Sequence, residues 1–215
     1  MKELVFATNN QYKADEVSKL LEGQYKVLSL KDISCDVDIP ETGGTFAENA
    51  ALKSSYIVEH YNLDCFGDDS GLQIDALNDE PGIFSARYSG VRDDKQNLEL
   101  VLEKMSEVKD RRARFTTVIS LSQGGQNHLF EGVIEGVITD KPTGDKGFGY
   151  DPIFQPGGYD ITFAEMTTAE ISHLIAFLAV SIFAVTRIFK EQYPNKKTAI
   201  FSSWTDNRTK LLGDG

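Results

Sequence analysis

Apolar positions along the chain change period several times, and each change marks an element. Leu4-Val5-Phe6-Ala7, closing at Thr8, is a continuous apolar run of strand length. Beyond Asn9 and Asn10, the spacing of Val17, Leu20 and Leu21 predicts a helix over 12–21, and residues 25–30 read as a second strand. Residues 40–44 are a loop. Thr45 then opens a helix, with Glu48 three residues on completing a capping box. That helix runs to about Tyr61 and offers Phe46, Ala50, Ile57 and Val58 to a core. Cys65-Phe66 leads into Gly67-Asp68-Asp69-Ser70-Gly71 and the alternation Leu72, Ile74. Pro81-Gly82 is a turn, and 96–105 is helical. Residues 114–122 and 129–139 alternate with period two, and Gly124-Gly125-Gln126-Asn127 joins them as a hairpin. Gly147-Phe148-Gly149-Tyr150-Asp151-Pro152 is a tight, glycine-bearing loop. Early strands and helices with a later hairpin imply an α/β chain with a mixed sheet.

Composition narrows the class. The chain has 215 residues, 40% apolar and 26% charged, as in a globular protein of one domain or two intimate lobes. One domain is expected over 1–195, with a polar tail over 196–215. The net charge of −11 disfavours nucleic-acid partners, so a phosphate ligand needs a local basic pocket, a metal ion, or both. Two cysteines, Cys35 and Cys65, make neither a disulfide framework nor a zinc pattern and suit a reducing cytosol. The apolar run after Met1-Lys2-Glu3 reads as too short for a signal peptide. The apolar stretch 174–185, LIAFLAVSIFAV, falls short of the roughly 20 residues that span a bilayer and reads as a buried core helix. Arg111, Arg112 and Arg114 read as a solvated basic run. His60 and His128 read as surface or strand-end residues, and Phe115 and Phe130 as core. Arg87 reads either as a structural ion pair or as a contact in a cleft or dimer.

Two places carry candidate chemistry. Thr8, Asn9, Asn10 and Lys13 lie where a strand turns into a helix, whose free N–H groups and positive dipole end suit phosphate. The plainer alternative makes Asn9 a helix cap and Lys13 a solvated cation. No G-x-x-x-x-G-K-[ST] occurs, which excludes a standard P-loop. The second place is acidic. On a regular strand Asp68 and Asp69 face opposite sides, unless the flanking glycines bend both inward. With Glu41 from another loop they form the oxygen set that a hard cation such as Mg²⁺ prefers, and Mg²⁺ bridges carboxylates to phosphates. Read alone, Asp68-Asp69-Ser70-Gly71 is a polar turn.

Five patches in order carry a resemblance. They are Thr8-Asn9 with Lys13; Glu41 to Ala50 (ETGGTFAENA) with Lys53; Asp68-Asp69-Ser70-Gly71-Leu72; Pro81 to Tyr88 (PGIFSARY); and Gly147 to Pro152 (GFGYDP). Together they resemble the non-canonical purine nucleoside triphosphate pyrophosphatase family, also called Ham1-like or inosine triphosphatase, over roughly residues 1–173. The resemblance implies an elongated mixed sheet with flanking helices, two lobes around a central cleft, and a cytosolic homodimer. It implies Mg²⁺-dependent hydrolysis of ITP, dITP and XTP to monophosphate and pyrophosphate, with no nucleic-acid or membrane partner. By position, Thr8, Asn9, Asn10 and Lys13 match the phosphate loop. Glu41 and Asp69, with Asp68 nearby, match the metal-binding carboxylates, and Asp69 matches the proton acceptor. Lys53 and Ser70 match substrate contacts, and Phe148, Gly149, Tyr150 and Asp151 match the base-binding loop. His173 matches a substrate contact. The pattern departs there. Glu170 runs straight into Ile171-Ser172-His173-Leu174, without the family's lysine and with leucine in place of arginine. Each lost cationic contact costs roughly ten- to a hundredfold in binding. Two alternatives therefore stand beside the pyrophosphatase: a catalytically impaired nucleotide-binding protein of the same fold, and a pyrophosphatase for another modified nucleotide.

Overall fold

Six strands form one mixed sheet in the order β2-β1-β3-β4-β5-β6, in a computed structural model that describes residues 2–23, 25–167 and 170. His173, the 174–185 stretch, the boundary at 195/196 and the side chain of Leu20 lie outside the described residues. The strands are β1 (Lys2–Phe6), β2 (Tyr25–Leu28), β3 (Cys65–Ile74), β4 (Arg112–Gln123), β5 (Gln126–Ile138) and β6 (Phe154–Pro156). The helices are α1 (Gln11–Leu20), α2 (Phe46–Tyr61) and α3 (Asp94–Lys104). β2, β1 and β3 run parallel and the remaining pairings are antiparallel. The expected mixed α/β sheet is borne out.

β1 opens with the exposed Lys2 and Glu3 and then runs apolar because both its faces are covered: Leu4, Val5 and Phe6, with Ala7 beyond them, are all buried. The chain leaves β1 for β2 on one side and returns to β3 on the other. A loop at the carboxyl end of β1 therefore opens into the crevice of a topological switch point, where α/β sheets bind ligands. The stacked rings of Phe6 and Phe66, 4.3 Å between centroids, lock β1 against β3 just below that crevice.

Two helix starts differ from expectation by one residue. Asn10, not Asn9, caps α1, its side-chain oxygen accepting the Lys13 N–H at 3.2 Å. Thr45 caps α2 as expected, but the Glu48 carboxylate reaches back to the Gly44 N–H at 2.6 Å rather than to Thr45. Both caps satisfy N–H groups that a helix leaves unpaired at its start.

The acid-glycine segment is neither a turn nor a strand edge. Gly67 to Gly71 lie inside β3, paired with β4 along its whole length. The glycines are explained by α2. A Cβ on Gly67 would lie 2.7 Å from the Ala50 carbonyl oxygen and from Lys53 Cβ, so only glycine lets this helix settle on the strand. Gly71 makes the same allowance for the 3-10 segment Gly82–Arg87, where an added Cβ would lie 2.5 Å from Ser85 Oγ.

β4 and β5 are longer than the alternation marked, and they meet at Gly124-Gly125, both with positive φ, as a two-residue hairpin demands. Of the arginine run at their base, Arg112 is exposed as expected and pairs with Asp110, whereas Arg111 and Arg114 are partly buried. Arg111 donates to the carbonyls of Met105, Ile138 and Thr139, and Arg114 pairs with Asp75 and Asp79. These contacts tie β4 to the segments on either side of it. His60 is exposed, and His128 stacks near Phe130. Phe115 packs edge-on against Phe154. The core gathers around β1 (Val5, Leu30, Ile57, Cys65) and around α3 (Leu72, Val101, Met105, Phe154), with Phe46, Ala50 and Val118 forming a third cluster where α2 meets β4. The Cys65 thiol is pushed up to about 12 by burial and neighbouring Asp64. Both cysteines are buried and free.

Candidate active site

Alternation along β3 sorts the acids. Odd positions face α2 and even positions face α1. On the α1 side, Lys13 Nζ pairs with Asp68 Oδ2 at 2.6 Å and donates to Ser70 Oγ at 2.9 Å. The Asp68 side chain is only 8% exposed. Burial alone would raise its carboxyl, but the charges of Lys13 and Lys53 and the Lys13 hydrogen bond outweigh burial and hold it below the usual range. Lys13 is the mirror case: burial opposes its charge, and Asp68, Asp69 and Glu41 together hold its ammonium above the ordinary lysine value. Lys13 is therefore a permanent cation in the first turn of α1, beside the Thr8-Asn9-Asn10 loop.

On the α2 side stand Glu41, Lys53, Asn49 and Asp69. Lys53 Nζ bonds Glu41 Oε1 at 2.6 Å and also donates to the Asp68 carbonyl oxygen at 2.7 Å. Arg87 approaches the other Glu41 oxygen at 3.4 Å, its guanidinium resting over the Phe84 ring. Glu41 is partly buried, which would raise its carboxyl, yet these two cations hold it lower. Asp69 has the opposite balance. Burial raises its carboxyl, and the like charges of Glu41 and Asp68 raise it further. The Asn49 hydrogen bond and Lys53 offset only part of this. Asp69 Oδ2 accepts from Asn49 at 3.0 Å and Oδ1 from the Ser70 N–H at 3.0 Å.

The three acids named from sequence are therefore not gathered into one cluster. Asp68 goes to Lys13 on the far face, and among the described residues no three His, Cys, Asp or Glu side chains converge as metal ligands do. Asp69 and Glu41 share a face and repel each other. Their carboxylate oxygens are of the hard kind that a divalent cation takes, so these two fit a Mg²⁺ site.

The remaining predicted residues divide between two regions. Thr8 Oγ accepts the Asn10 N–H, and Asn9 donates to Asp38, which shapes the phosphate loop. In the base loop, Phe148 is 59% exposed on the rim of a cavity of about 560 Å³, lined among others by Asp94, Leu98, Leu102, Pro142 and Lys146. Tyr150 is different: it is buried in the core around α3, and its hydroxyl donates to the Ser85 carbonyl at 2.8 Å. Of the two rings, Phe148 is exposed and Tyr150 is buried with its hydroxyl bonded. Asp151 accepts the Phe148 N–H. A second cavity of about 300 Å³, between the end of α2 and the hairpin, is lined by none of the predicted site residues.

The Ham1 family model matches residues 4–175. The chain belongs to the Ham1 family. It is 48% identical over 173 residues to a dITP/XTP pyrophosphatase of Christiangramia forsetii, covering 80% of this chain and 91% of that protein. A Staphylococcus aureus protein of the same name is 43% identical over 178 residues, covering 80% and 91%. Among solved structures, the Staphylococcus aureus Ham1 protein superposes with a TM-score of 0.82 at 38% identity, covering 89% of this chain and all of that one. A Ham1 protein from Coxiella burnetii gives 0.78 at 38% identity, covering 86% and 100%.

Two contributors to this Ham1 site carried no role in the sequence reading. Asn49 is fully buried. Its side-chain oxygen accepts the Gly43 N–H at 2.8 Å while its nitrogen donates to Asp69, so one side chain braces the Glu41 loop and the acid together. The available signal was the core stripe of α2, Phe46-Asn49-Ala50-Lys53-Ser54-Ile57, which carries three polar residues where helical spacing demands apolar ones. Ser85 is the second. Its hydroxyl accepts the Leu72 N–H and donates to the Gly82 carbonyl, and its own carbonyl holds Tyr150, which links the base loop to β3. No local pattern marks it.

Proposed function

We propose that this chain hydrolyses the non-canonical purine nucleoside triphosphates ITP, dITP and XTP to the monophosphate and pyrophosphate. The observation that carries this reading is the placement of Asp69. This residue is a buried acid raised above its usual range and braced by Asn49, and it stands at the sheet's switch point with a permanently charged Lys13 on the opposite face of its strand. The curated relatives named dITP/XTP pyrophosphatases supply the substrate class.

The chemistry is attack of water on the α-phosphorus, with cleavage of the bond from that phosphorus to the oxygen bridging to the β-phosphate. Pyrophosphate leaves, and the water's proton goes to Asp69, whose raised carboxyl suits a general base. Thr8, Asn9, Asn10 and Lys13 hold the phosphates at the start of α1, with Ser70 beside them and Lys53 opposite. Glu41 and Asp69 would hold Mg²⁺, and Asp68 serves by orienting Lys13. Mg²⁺, when bound, supplies charge neutralisation on the phosphates. Phe148 stacks on the purine, with Gly149 and Asp151 around it. A site whose donors match a 6-oxo group leaves them unpaired against adenine, at about 1–3 kcal/mol each. A role for His173, a cytoplasmic homodimer, and a single domain over 1–195 with a polar tail belong to the same reading.

A second reading has one specific observation in its favour. Leu174 and the missing lysine remove two cations, which suits a protein that binds such nucleotides without turning them over. Pyrophosphate release measured on ITP, XTP, dITP, GTP and ATP, with Mg²⁺ and with a chelator, separates the two. Faster release from ITP and XTP than from ATP, abolished by the chelator, is expected. Equal rates on all five would remove the specificity claim, and no release would favour the binding protein.

A further inference from the structure

The base loop has no regular structure of its own, yet its Phe148 ring must be presented at a fixed angle to select a purine. Two of its residues, Gly147 and Gly149, have positive φ, a conformation with low intrinsic cost only for glycine. Such a loop needs anchors from outside. One is the Tyr150 hydroxyl on Ser85. The other comes from α3: the Gly149 N–H donates to Asp94 Oδ2 at 3.0 Å. Asp94 stands in the first turn of α3, next to the capping residue Asp93, and lines the cavity that Phe148 borders.

We propose that Asp94 is a positioning residue for base recognition: its carboxylate holds the Gly149 N–H and so fixes the presentation of the neighbouring Phe148 ring. This rests on the purine triphosphate reading of the site. A carboxylate accepting an N–H makes a shorter, stronger bond than a neutral acceptor, and here it restrains the residue adjacent to the stacking ring. Asp94 also has an ordinary duty as an acid at a helix start, where it complements the dipole. The two duties are separable by chemistry. The helix wants the negative charge, whereas the loop wants an acceptor oxygen.

The test compares Asp94→Ala with Asp94→Asn. Asparagine keeps an acceptor and loses the charge; alanine loses both. If Asp94 positions the loop, Asp94→Ala raises KM for ITP and weakens calorimetric binding of inosine monophosphate about fivefold, modest because the side chain is exposed. kcat stays within twofold. Asp94→Asn restores both constants to near wild type, while both variants lose thermal stability alike. Unchanged KM in Asp94→Ala, or an Asp94→Asn variant as weak as alanine, overturns the proposal. Hydrogen exchange at the Gly149 amide provides an arm independent of any nucleotide. Exchange about tenfold faster in Asp94→Ala than in Asp94→Asn supports the anchor, and equal rates refute it. If the wild type itself neither binds inosine monophosphate nor hydrolyses ITP, the functional reading fails, while the exchange result still decides the anchor.

Discussion

Lys13→Met tests the electrostatic logic of the site most sharply. Met keeps the length of the side chain and removes its charge. In the wild type, Lys13 Nζ lies 2.6 Å from Asp68 Oδ2, with the lysine side chain 29% exposed and the aspartate 8%. Removing one partner of a buried pair costs about 3–5 kcal/mol, because the other charge is left uncompensated. Two features reduce that figure. Lys13 is partly exposed, and Lys53 still lowers the Asp68 carboxyl from the other side. A loss of about 2–3 kcal/mol at pH 7 is expected, or roughly 5–10 °C in Tm for a chain of this size.

The pH dependence carries the discrimination. In the wild type, the folded Asp68 carboxyl titrates below its unfolded value. Its contribution is therefore complete above about pH 4 and is lost as pH falls through the lower, folded value. In Lys13→Met, burial becomes the dominant influence and the folded value rises above the unfolded one. The charged aspartate then destabilises the fold at neutral pH, and protonation relieves the strain in acid. The stability gap between the two proteins should narrow steadily from pH 7 to pH 4. Urea unfolding followed by circular dichroism measures it. Adding Asp68→Asn to Lys13→Met removes the stranded charge and should recover all but about 1 kcal/mol. A gap below about 0.5 kcal/mol, a gap independent of pH, or no rescue by Asp68→Asn would refute the reasoning.

Two further outcomes follow from the site. Asp69→Asn keeps the shape of the braced acid but removes its basicity; kcat for pyrophosphate release from ITP should fall about 10²–10⁴-fold with KM within a few fold, and a variant retaining a tenth of the wild-type rate would exclude Asp69 as the base. Phe148→Ala deletes an exposed stacking ring, so KM for ITP should rise about tenfold with Tm unchanged, and an unaltered KM would assign purine stacking elsewhere.

The strand-to-helix turn after Thr8, the cap at Thr45, the apolar run of β1 and the Gly124-Gly125 hairpin were all legible in the sequence, although the α1 cap fell on Asn10 and not on Asn9. Each depends on residues within a few positions of one another, where backbone sterics and period decide the outcome. The five spaced patches likewise marked the family. What sequence left open depended on neighbours far along the chain. Where Asp68 and Asp69 point was decided by β3 remaining a regular strand, which sends one acid to Lys13 and the other to Asn49. Gly67 and Gly71 proved to be close-approach positions because α2 and the Gly82–Arg87 segment lie against them, not because the chain turns. Arg111 became a clamp on three carbonyls, and Tyr150 a strut on Ser85, once the sheet brought those partners within reach. A side chain's type sets which bonds it can form, but the state of a buried charge depends on which groups surround it. Those groups converge only when the sheet closes.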